Sequence, residues 1–136
     1  MDVLVHHIEE AKTLYQCFNK GDIQGILKRL DRDCIWEVMG NNKEIPYAGI
    51  YHGPDDVKGF FEKLNKNTET REMKPEHYFE DGRTVYVTGH WIASVKKNNK
   101  PISTMWLMTM EFNDDGRVVH FRDCYDTLAV ANAFGR

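Results

Sequence analysis

The stretch VVHFRDCYDT, residues 118–127, places a single carboxylate on an otherwise apolar face. If the stretch forms a β-strand, alternate residues share one face, so Asp123 lies beside Phe121 and Tyr125. Burial among apolar side chains disfavours a charged carboxylate and raises its pKa. Such an acid can accept a proton near neutral pH, as removal of a proton next to a carbonyl requires. The alternative is a structural strand acid, hydrogen-bonded to a tyrosine hydroxyl or a backbone amide.

The other candidate reactive groups favour structural roles. Asp126 precedes TLAVA and is predicted to be the N-cap of a C-terminal helix. His6 and His7 are adjacent, so they diverge around a helix and are poorly placed to share a metal ion. The three cysteines of the chain are widely spaced and form no CxxC pair, which indicates neither a disulfide framework nor a zinc site. We therefore predict no metal site and no cofactor.

Composition excludes several functional classes. The chain has 136 residues, a net charge of −3 and 41% hydrophobic residues, which is typical of one globular domain spanning residues 1–136. No run of Lys or Arg reaches motif length, so nucleic acid is not an expected partner. The N-terminus lacks the pattern of a signal peptide, and no apolar stretch approaches the ~18 residues of a membrane span. We expect a cytoplasmic protein without a membrane partner.

Apolar spacing predicts three helices in the N-terminal half. Leu4, Ile8, Ala11, Tyr15 and Phe18 recur at spacings of four, three, four and three, which indicates one face of a helix. The motif NKGD ends this helix and caps the short one that follows. The segment DCIWEVMG then reads as a strand, NNKEIPYAGIYHG as a loop, and GPDDV as the start of a third helix.

The C-terminal half has the pattern of an antiparallel meander. Turn residues separate the β-type segments EHYFE, TVYVTGHWIASV, STMWLMTMEF and RVVHFRDCYD, and the short helix TLAVANAF follows them. An apolar sheet face must be buried, so the N-terminal helices are predicted to cover one face of a long, curved sheet. The fold class predicted from this order is α+β.

Alternation along these strands predicts an inward-facing set around Asp123. Tyr47 and Tyr51 fall on the loop beside the expected mouth, where a hydroxyl could donate a hydrogen bond to a ligand oxygen. The methionines in the set are flexible and adapt to varied apolar ligands. A solid core without a cavity would have the same alternation. The predicted ligand-binding residues are Trp36, Val38, Tyr47, Tyr51, Phe61, Trp91, Met108, Met110, Phe121 and Tyr125.

The opposite face of the sheet is predicted to carry a mixed apolar stripe. It comprises Tyr86, Thr88, His90 and Ile92 on one strand and Met105, Leu107 and Thr109 on the next. An apolar stripe on an outer face indicates a partner surface, and a symmetric homodimer is the default occupant. Cover by a local loop is the alternative.

Three segments resemble a known family: FNKGDIQGILKRLDRDCIWEV, PYAGIYHGPDDVKGFF and FNDDGRVVHFRDCYDT. In order and spacing they resemble the nuclear transport factor 2-like superfamily, and specifically its SnoaL-like and ketosteroid isomerase-related branch. The resemblance implies a cone-shaped α+β barrel in which helices close a curved sheet around an apolar pocket, usually in a dimer. Its members include isomerases, cyclases, hydrolases, carriers and scaffolds, so the fold alone does not define an activity.

The resemblance can be followed residue by residue. Ketosteroid isomerases use an aspartate base, a tyrosine and a protonated aspartate, and these positions fall on Val38, Leu14 and Met108. Tyr15 is one residue away and about 100° around the helix. Steroid isomerisation by that mechanism is therefore not expected. Polyketide cyclases of the superfamily carry an acid on the final strand, and GRVVHFRD aligns that acid with Asp123, but the histidine of their preceding strand is absent here.

These observations lead to two hypotheses. The first is a protein that binds a small, largely apolar carbonyl compound and uses Asp123 as a general base, as a cofactor-free isomerase or cyclase. Tyr47, Tyr51 or the indole N–H of Trp91 would stabilise the enolate. The second is a non-catalytic module that binds a hydrophobic ligand or a partner protein.

Overall fold

The computed structural model describes residues 7–136, so the positions of Leu4 and His6 lie outside the described residues. Within this range four helices and six strands follow one another, and the strands form one curved, open sheet in the order β2-β1-β6-β5-β4-β3. This confirms the predicted α+β class. The elements are α1 Ile8–Lys20, α2 Ile23–Leu27, β1 Leu30–Val38, β2 Gly49–His52, α3 Gly53–Asn67, β3 Thr68–Asp81, β4 Thr84–Val95, β5 Pro101–Phe112, β6 Val118–Tyr125 and α4 Thr127–Ala133.

Local sequence signals account for the helix boundaries. Gly21 ends α1 in the left-handed region with φ 74°, which costs glycine little. The side chain of Asp22 then accepts a hydrogen bond from the backbone N–H of Gly25 at 2.9 Å and caps α2. Asp126 accepts from the backbone N–H of Ala129 at 3.0 Å, so its predicted role as the N-cap of α4 is confirmed. Within residues 7–136, no helix has the length and apolar character needed to cross a membrane.

One prediction about the sheet is wrong. The segment around Tyr51, predicted to be loop, contains strand β2, which pairs antiparallel with β1 and sets Trp36 opposite Tyr51. Pairing with β1 satisfies backbone groups that an unpaired edge would leave open, and this outweighs the local turn residues. The predicted antiparallel meander is confirmed for β3 to β6, and β1 joins it by pairing parallel with β6. The chain leaves β1 for β2, α3 and the meander before β6 returns beside β1.

The inner face of the meander is buried in strict alternation. In β5, for example, every second residue from Ile102 to Phe112 is buried, and the residues between them are exposed or half-buried. Trp106 stands opposite Gly89 of β4, and a β-carbon at Gly89 would collide with the Trp106 indole. Gly89 therefore provides the space into which the large ring of Trp106 packs.

Candidate active site

The helices and the inner face of the sheet enclose a cavity. The space open to the centre of a water-sized sphere is about 80 Å³, several times the roughly 10–15 Å³ that one water needs. The walls are almost entirely apolar and rich in aromatic rings, with Asp123 as their acidic side chain. The lining residues are Leu14, Tyr15, Phe18, Ile26, Trp36, Tyr47, Phe60, Phe61, Leu64, Met73, Trp91, Thr104, Trp106, Met108, Met110, Phe121, Asp123 and Tyr125.

Asp123 lies on β6 between two apolar neighbours, Val38 on β1 and Met108 on β5. These are the two positions at which the resemblance would place the acids of a ketosteroid isomerase. The residue as a whole is of intermediate exposure, but its Oδ1 is inaccessible and has no hydrogen-bond partner among residues 7–136. Desolvation raises the pKa of Asp123 to about 7. The carboxyl group therefore exchanges a proton near neutral pH.

Three tyrosines lie within electrostatic reach of this carboxyl group. Burial raises the pKa of Tyr15 and of Tyr125 above the usual value, and the negative charge of Asp123 raises both further. The pKa of Tyr47 is also raised, first by burial, then by Tyr125 and Asp123. All three hydroxyls therefore stay protonated near neutral pH and are available only as donors or as neutral acceptors.

Most of the polar hydrogens near the cavity are already engaged. The Tyr15 hydroxyl donates to Met108 Sδ at 3.1 Å, and the Tyr125 hydroxyl donates to the Met39 carbonyl at 2.5 Å. The indole of Trp91 donates from Nε1 to Thr70 Oγ1 at 3.0 Å. Of the proposed enolate donors, Trp91 is therefore occupied.

Tyr47 and Tyr51 differ in whether the hydroxyl hydrogen is already used in a hydrogen bond. The Tyr51 hydroxyl donates to the Tyr47 carbonyl at 2.8 Å. The Tyr47 hydroxyl is buried and finds no partner in the described part of the chain, and the same holds for Nε1 of Trp36 and Nε1 of Trp106. Tyr47 is thus the one member of the predicted donor set, among the described residues, whose hydrogen is unused.

The structure brings most of the predicted ligand-binding residues to the cavity. Val38 and Tyr51 are exceptions, since both are buried but neither belongs to the lining. Tyr51 lies on β2, beyond β1, and its ring packs edge-on against Phe60 at 5.5 Å. Val38 sits at the end of β1 between Gly49 and Asp123. The residues at the cavity are Trp36, Tyr47, Phe61, Trp91, Met108, Met110, Phe121, Asp123 and Tyr125.

Sequence reasoning did not assign two aromatic lining residues that carry polar hydrogens, Tyr15 and Trp106. Leu14 and Tyr15 both line the cavity, although they are about 100° apart around α1, because the helix is covered across a wide arc. The position of Tyr15 in the apolar stripe of α1 could have indicated that its ring faces the cavity. Trp106 was recognisable as an inward residue by alternation, but the state of its indole N–H depends on its neighbours.

A wider surface cleft adjoins the cavity. Phe18 and Met73 line both spaces, so they lie at the boundary between cavity and surface. The cleft carries four basic and two acidic side chains, and these are Lys20, Arg71, Lys74, Lys96, Glu69 and Glu72. Phe18 and Met73 thus separate the apolar cavity from a charged surface cleft.

The other ionisable groups of the described residues do not form a second buried centre of this kind. His7 binds Glu10 through Nδ1 at 2.6 Å and stacks on Phe112 at 4.9 Å. Across residues 7–136, no group of three or more His, Cys, Asp or Glu side chains is arranged to hold a metal ion. Cys17, Cys34 and Cys124 are all free thiols.

Comparison with known proteins places this chain in a recognised family. The SnoaL-like domain model matches residues 11–121, and Asp123 lies just beyond that match. Patulin synthesis protein F from Aspergillus clavatus is 25% identical over 93 residues, which cover 67% of this chain and 47% of that protein. The chain thus spans about half the length of this curated relative.

Solved structures show the same fold. A nuclear transport factor 2-like protein of unknown function from Burkholderia pseudomallei superposes with a TM-score of 0.88 at 22% identity, covering 98% of this chain and 100% of that one. The structure of TerC co-crystallised with polyporic acid gives 0.81 at 21% identity, with 96% and 98% covered. At these identities the likeness concerns the fold alone. With its matching domain model and its nuclear transport factor 2-like architecture, the chain belongs to the SnoaL-like domain family.

Proposed function

We propose that the cavity binds a small, largely apolar carbonyl compound and that Asp123 acts as the general base of a cofactor-free isomerase or cyclase. The observation that carries this proposal is a carboxyl group in the wall of an aromatic cavity whose Oδ1 has no hydrogen-bond partner within residues 7–136. Buried ionisable groups without partners are costly and concentrate at functional sites. A base that titrates near neutral pH is also matched to proton transfer under physiological conditions.

The proposed step is the removal of a proton from the carbon next to the ligand carbonyl. Asp123 takes the proton, and the electron pair of the C–H bond moves into an enolate whose charge lies on the carbonyl oxygen. Tyr47 supplies a hydroxyl in the same cavity wall that is unused among the described residues. The protonated Asp123 then returns the proton to a different atom of the same molecule, so no oxidant, reductant or metal enters the balance.

The comparisons support binding of a small organic molecule. One relative is named for patulin synthesis, and a protein of the same fold was crystallised with polyporic acid. Neither finding identifies the ligand of this chain, which shares at most a quarter of its residues with either protein.

A non-catalytic binding module is the second candidate. The hydroxyls of Tyr15 and Tyr125 donate to Met108 and Met39, so neither acts as a hydrogen-bonded partner of Asp123. The aromatic walls would retain an apolar ligand without any proton transfer.

The two candidates are separated by a carbon-acid probe. β-Tetralone is a flat, apolar ketone whose protons next to the carbonyl exchange with D₂O, and NMR follows this exchange. We expect Asp123→Asn to lower the protein-dependent exchange about a hundredfold or more, the usual contribution of a positioned base. The wild-type rate should rise with pH and reach half its maximum near pH 7, because the base works deprotonated.

The matched control is Glu37→Gln, which removes a carboxylate from the outer face of the neighbouring strand. This variant should exchange β-tetralone at the wild-type rate. Tryptophan fluorescence titration should show that Asp123→Asn still binds β-tetralone, because all three tryptophans of the chain line the cavity. Equal exchange by wild type and Asp123→Asn would refute the base. Binding without any protein-dependent exchange would favour the binding module.

A further inference from the structure

The surface cleft beside the cavity is lined by cations from three separate parts of the chain. Lys20 lies at the end of α1, Arg71 and Lys74 lie on β3, and Lys96 follows β4. The space open to the centre of a water-sized sphere is about 830 Å³, within the roughly 300–1,000 Å³ of small-molecule sites. The whole chain has a net charge of −3, so this excess of positive charge is local.

The register of β3 separates the charges of this strand. Glu69 and Glu72 are paired with half-buried outer-face residues of β4, and Lys74 is paired in the same way. Residues that stand opposite each other on neighbouring strands share a face, so these three side chains belong to the outer face. Arg71 has no opposite residue, because the bulge between Thr70 and Glu72 leaves it as the extra residue. A bulge re-aims the side chain that it carries, and this one adds an arginine to the lining of the cleft.

The remaining cations, Lys20, Arg71 and Lys96, have no anionic partner in the described part of the chain. Lys20 and Arg71 are exposed and form no side-chain hydrogen bond or ion pair within residues 7–136. Lys96 donates from Nζ to the carbonyl of Asn65 at 2.6 Å, which ties the turn after β4 to the end of α3. That carbonyl is uncharged, so it does not neutralise Lys96. Three like charges around one cleft favour an anion between them.

The same cleft also has an apolar part and a free hydroxyl hydrogen. Phe18, Ile23 and Met73 line it and are half-buried. Thr70 Oγ1 accepts a hydrogen bond from the Trp91 indole at 3.0 Å, and its own hydrogen has no acceptor among the described residues. An occupant of the cleft can therefore combine an anionic group with an apolar body.

From this arrangement we infer that the cleft is a second binding site, separate from the cavity, for a small organic phosphate monoester. Such a group carries a charge of about −1.5 to −2 at neutral pH and has three acceptor oxygens. Three cations from three elements match that charge and that number of oxygens better than they match a carboxylate. The guanidinium of Arg71 can bind two of the oxygens at once. The organic group packs against Phe18, Ile23 and Met73.

The test compares phenyl phosphate with phenol, which has the same ring and no charge. Isothermal titration calorimetry at pH 7.5, in a low-salt buffer without phosphate, measures both affinities. We expect the wild-type protein to bind phenyl phosphate about tenfold or more tightly than phenol. Arg71→Gln should reduce the affinity for phenyl phosphate about tenfold or more, the usual contribution of a charge-assisted hydrogen bond. Arg71→Lys keeps the charge but not the planar fork, so it should lose less.

Lys97→Gln is the matched control, because it removes the same charge next to the cleft. Lys97 follows Lys96 in the turn after β4 and is exposed, but it does not line the cleft. This variant should bind phenyl phosphate with the affinity of the wild type. Arg71 and Lys97 are both exposed, so neither replacement removes a buried contact.

Equal wild-type affinities for phenyl phosphate and phenol would overturn the inference. An equal loss in Lys97→Gln and Arg71→Gln would also overturn it, because diffuse surface charge would then be the cause. Inorganic phosphate that binds as tightly as phenyl phosphate would refute the role of the apolar part.

Vesicles that contain phosphatidic acid test a lipid head group as the source of the phosphate. Co-sedimentation with these vesicles, without binding of phenyl phosphate, would refute a small soluble ligand. The exchange experiment with β-tetralone succeeds or fails separately, since that ligand is uncharged and its exchange depends on Asp123. Binding of phenyl phosphate without β-tetralone exchange would refute the general base and support the second site.

Discussion

Asp123 and Glu37 are carboxylates on neighbouring strands that face opposite sides of one sheet. Glu37 lies on the outer face of β1, where its carboxylate accepts a hydrogen bond from Arg122 Nε at 2.6 Å and lies 3.6 Å from His120 Nε2. The hydrogen bond from Arg122 lowers the pKa of Glu37. Asp123 lies on the inner face of β6, and desolvation raises its pKa to about 7.

The difference follows from a one-residue step along the strand. Glu37 precedes Val38, the residue that neighbours Asp123, and consecutive residues of a strand point to opposite faces. Glu37 is partly exposed to solvent and is paired with the basic side chain of Arg122. Asp123 is instead surrounded by aromatic side chains. The outer group thus stabilises the fold in its charged form, and the inner group costs stability in its charged form but remains available for chemistry.

The largest effect is expected for Asp123→Asn, which should change how the free energy of unfolding depends on pH. An unfolded aspartate titrates near 3.9, so between about pH 4 and pH 7 the folded protein binds more protons than the unfolded chain. The free energy of unfolding therefore falls as pH rises through this window and is level above it. Asp123→Asn should remove the fall and stabilise the protein by up to about 4 kcal/mol near pH 8.

Urea unfolding followed by tryptophan fluorescence measures this change. Near pH 3, where Asp123 is neutral in both states, the gain should almost vanish. A gain of the same size at both pH values would contradict the assigned cause, because a packing effect does not depend on protonation.

An intermediate effect is expected on association through the outer face. We propose that this face binds a second copy of the chain, since Met105 and Leu107 of β5 are 71% and 39% exposed, and Phe79 and Tyr86 extend the same patch. Met105→Lys should weaken self-association about tenfold or more. The substitution places a charge in an apolar interface, and a two-fold interface contains it twice. Light scattering across a concentration series measures the mass.

Leu128→Lys is the matched control for the association experiment. Leu128 is 56% exposed, but it lies on α4 rather than on the sheet. This variant should associate as the wild type does. A wild-type protein that stays monomeric at every concentration would refute the proposed interface.

The smallest effect is expected at Glu37. Its folded pKa is lowered, so its contribution to stability is present above the unfolded pKa and is lost as pH falls through the folded pKa. Glu37→Gln should lower Tm at neutral pH by at most a few degrees, and added salt should reduce the difference. Thermal unfolding at two salt concentrations checks this. A gain in stability, as expected for Asp123→Asn, would contradict the contrast between the two faces.

Local sequence signals predicted the structure correctly where a single side chain hydrogen-bonds the backbone or where apolar residues alternate. Asp22 and Asp126 cap helices as predicted, and alternation identified the inner faces of the meander strands. The strand around Tyr51 was missed because its pairing with β1 is a long-range contact that local turn residues obscure. The parallel pairing of β1 and β6 depends on the path of the whole chain.

The sequence by itself determined the α+β order, the helix caps and the isolation of Asp123 on an apolar strand face. These features depend on residues that are close to one another in the sequence. Only the tertiary structure decided which polar hydrogens have partners: those of Tyr51 and Trp91 are engaged, while those of Trp36, Tyr47 and Trp106 find none in the part of the chain that the structure describes. The physical reason is that a hydrogen bond requires a partner within about 3 Å in the correct direction, and packing of distant segments supplies or withholds it.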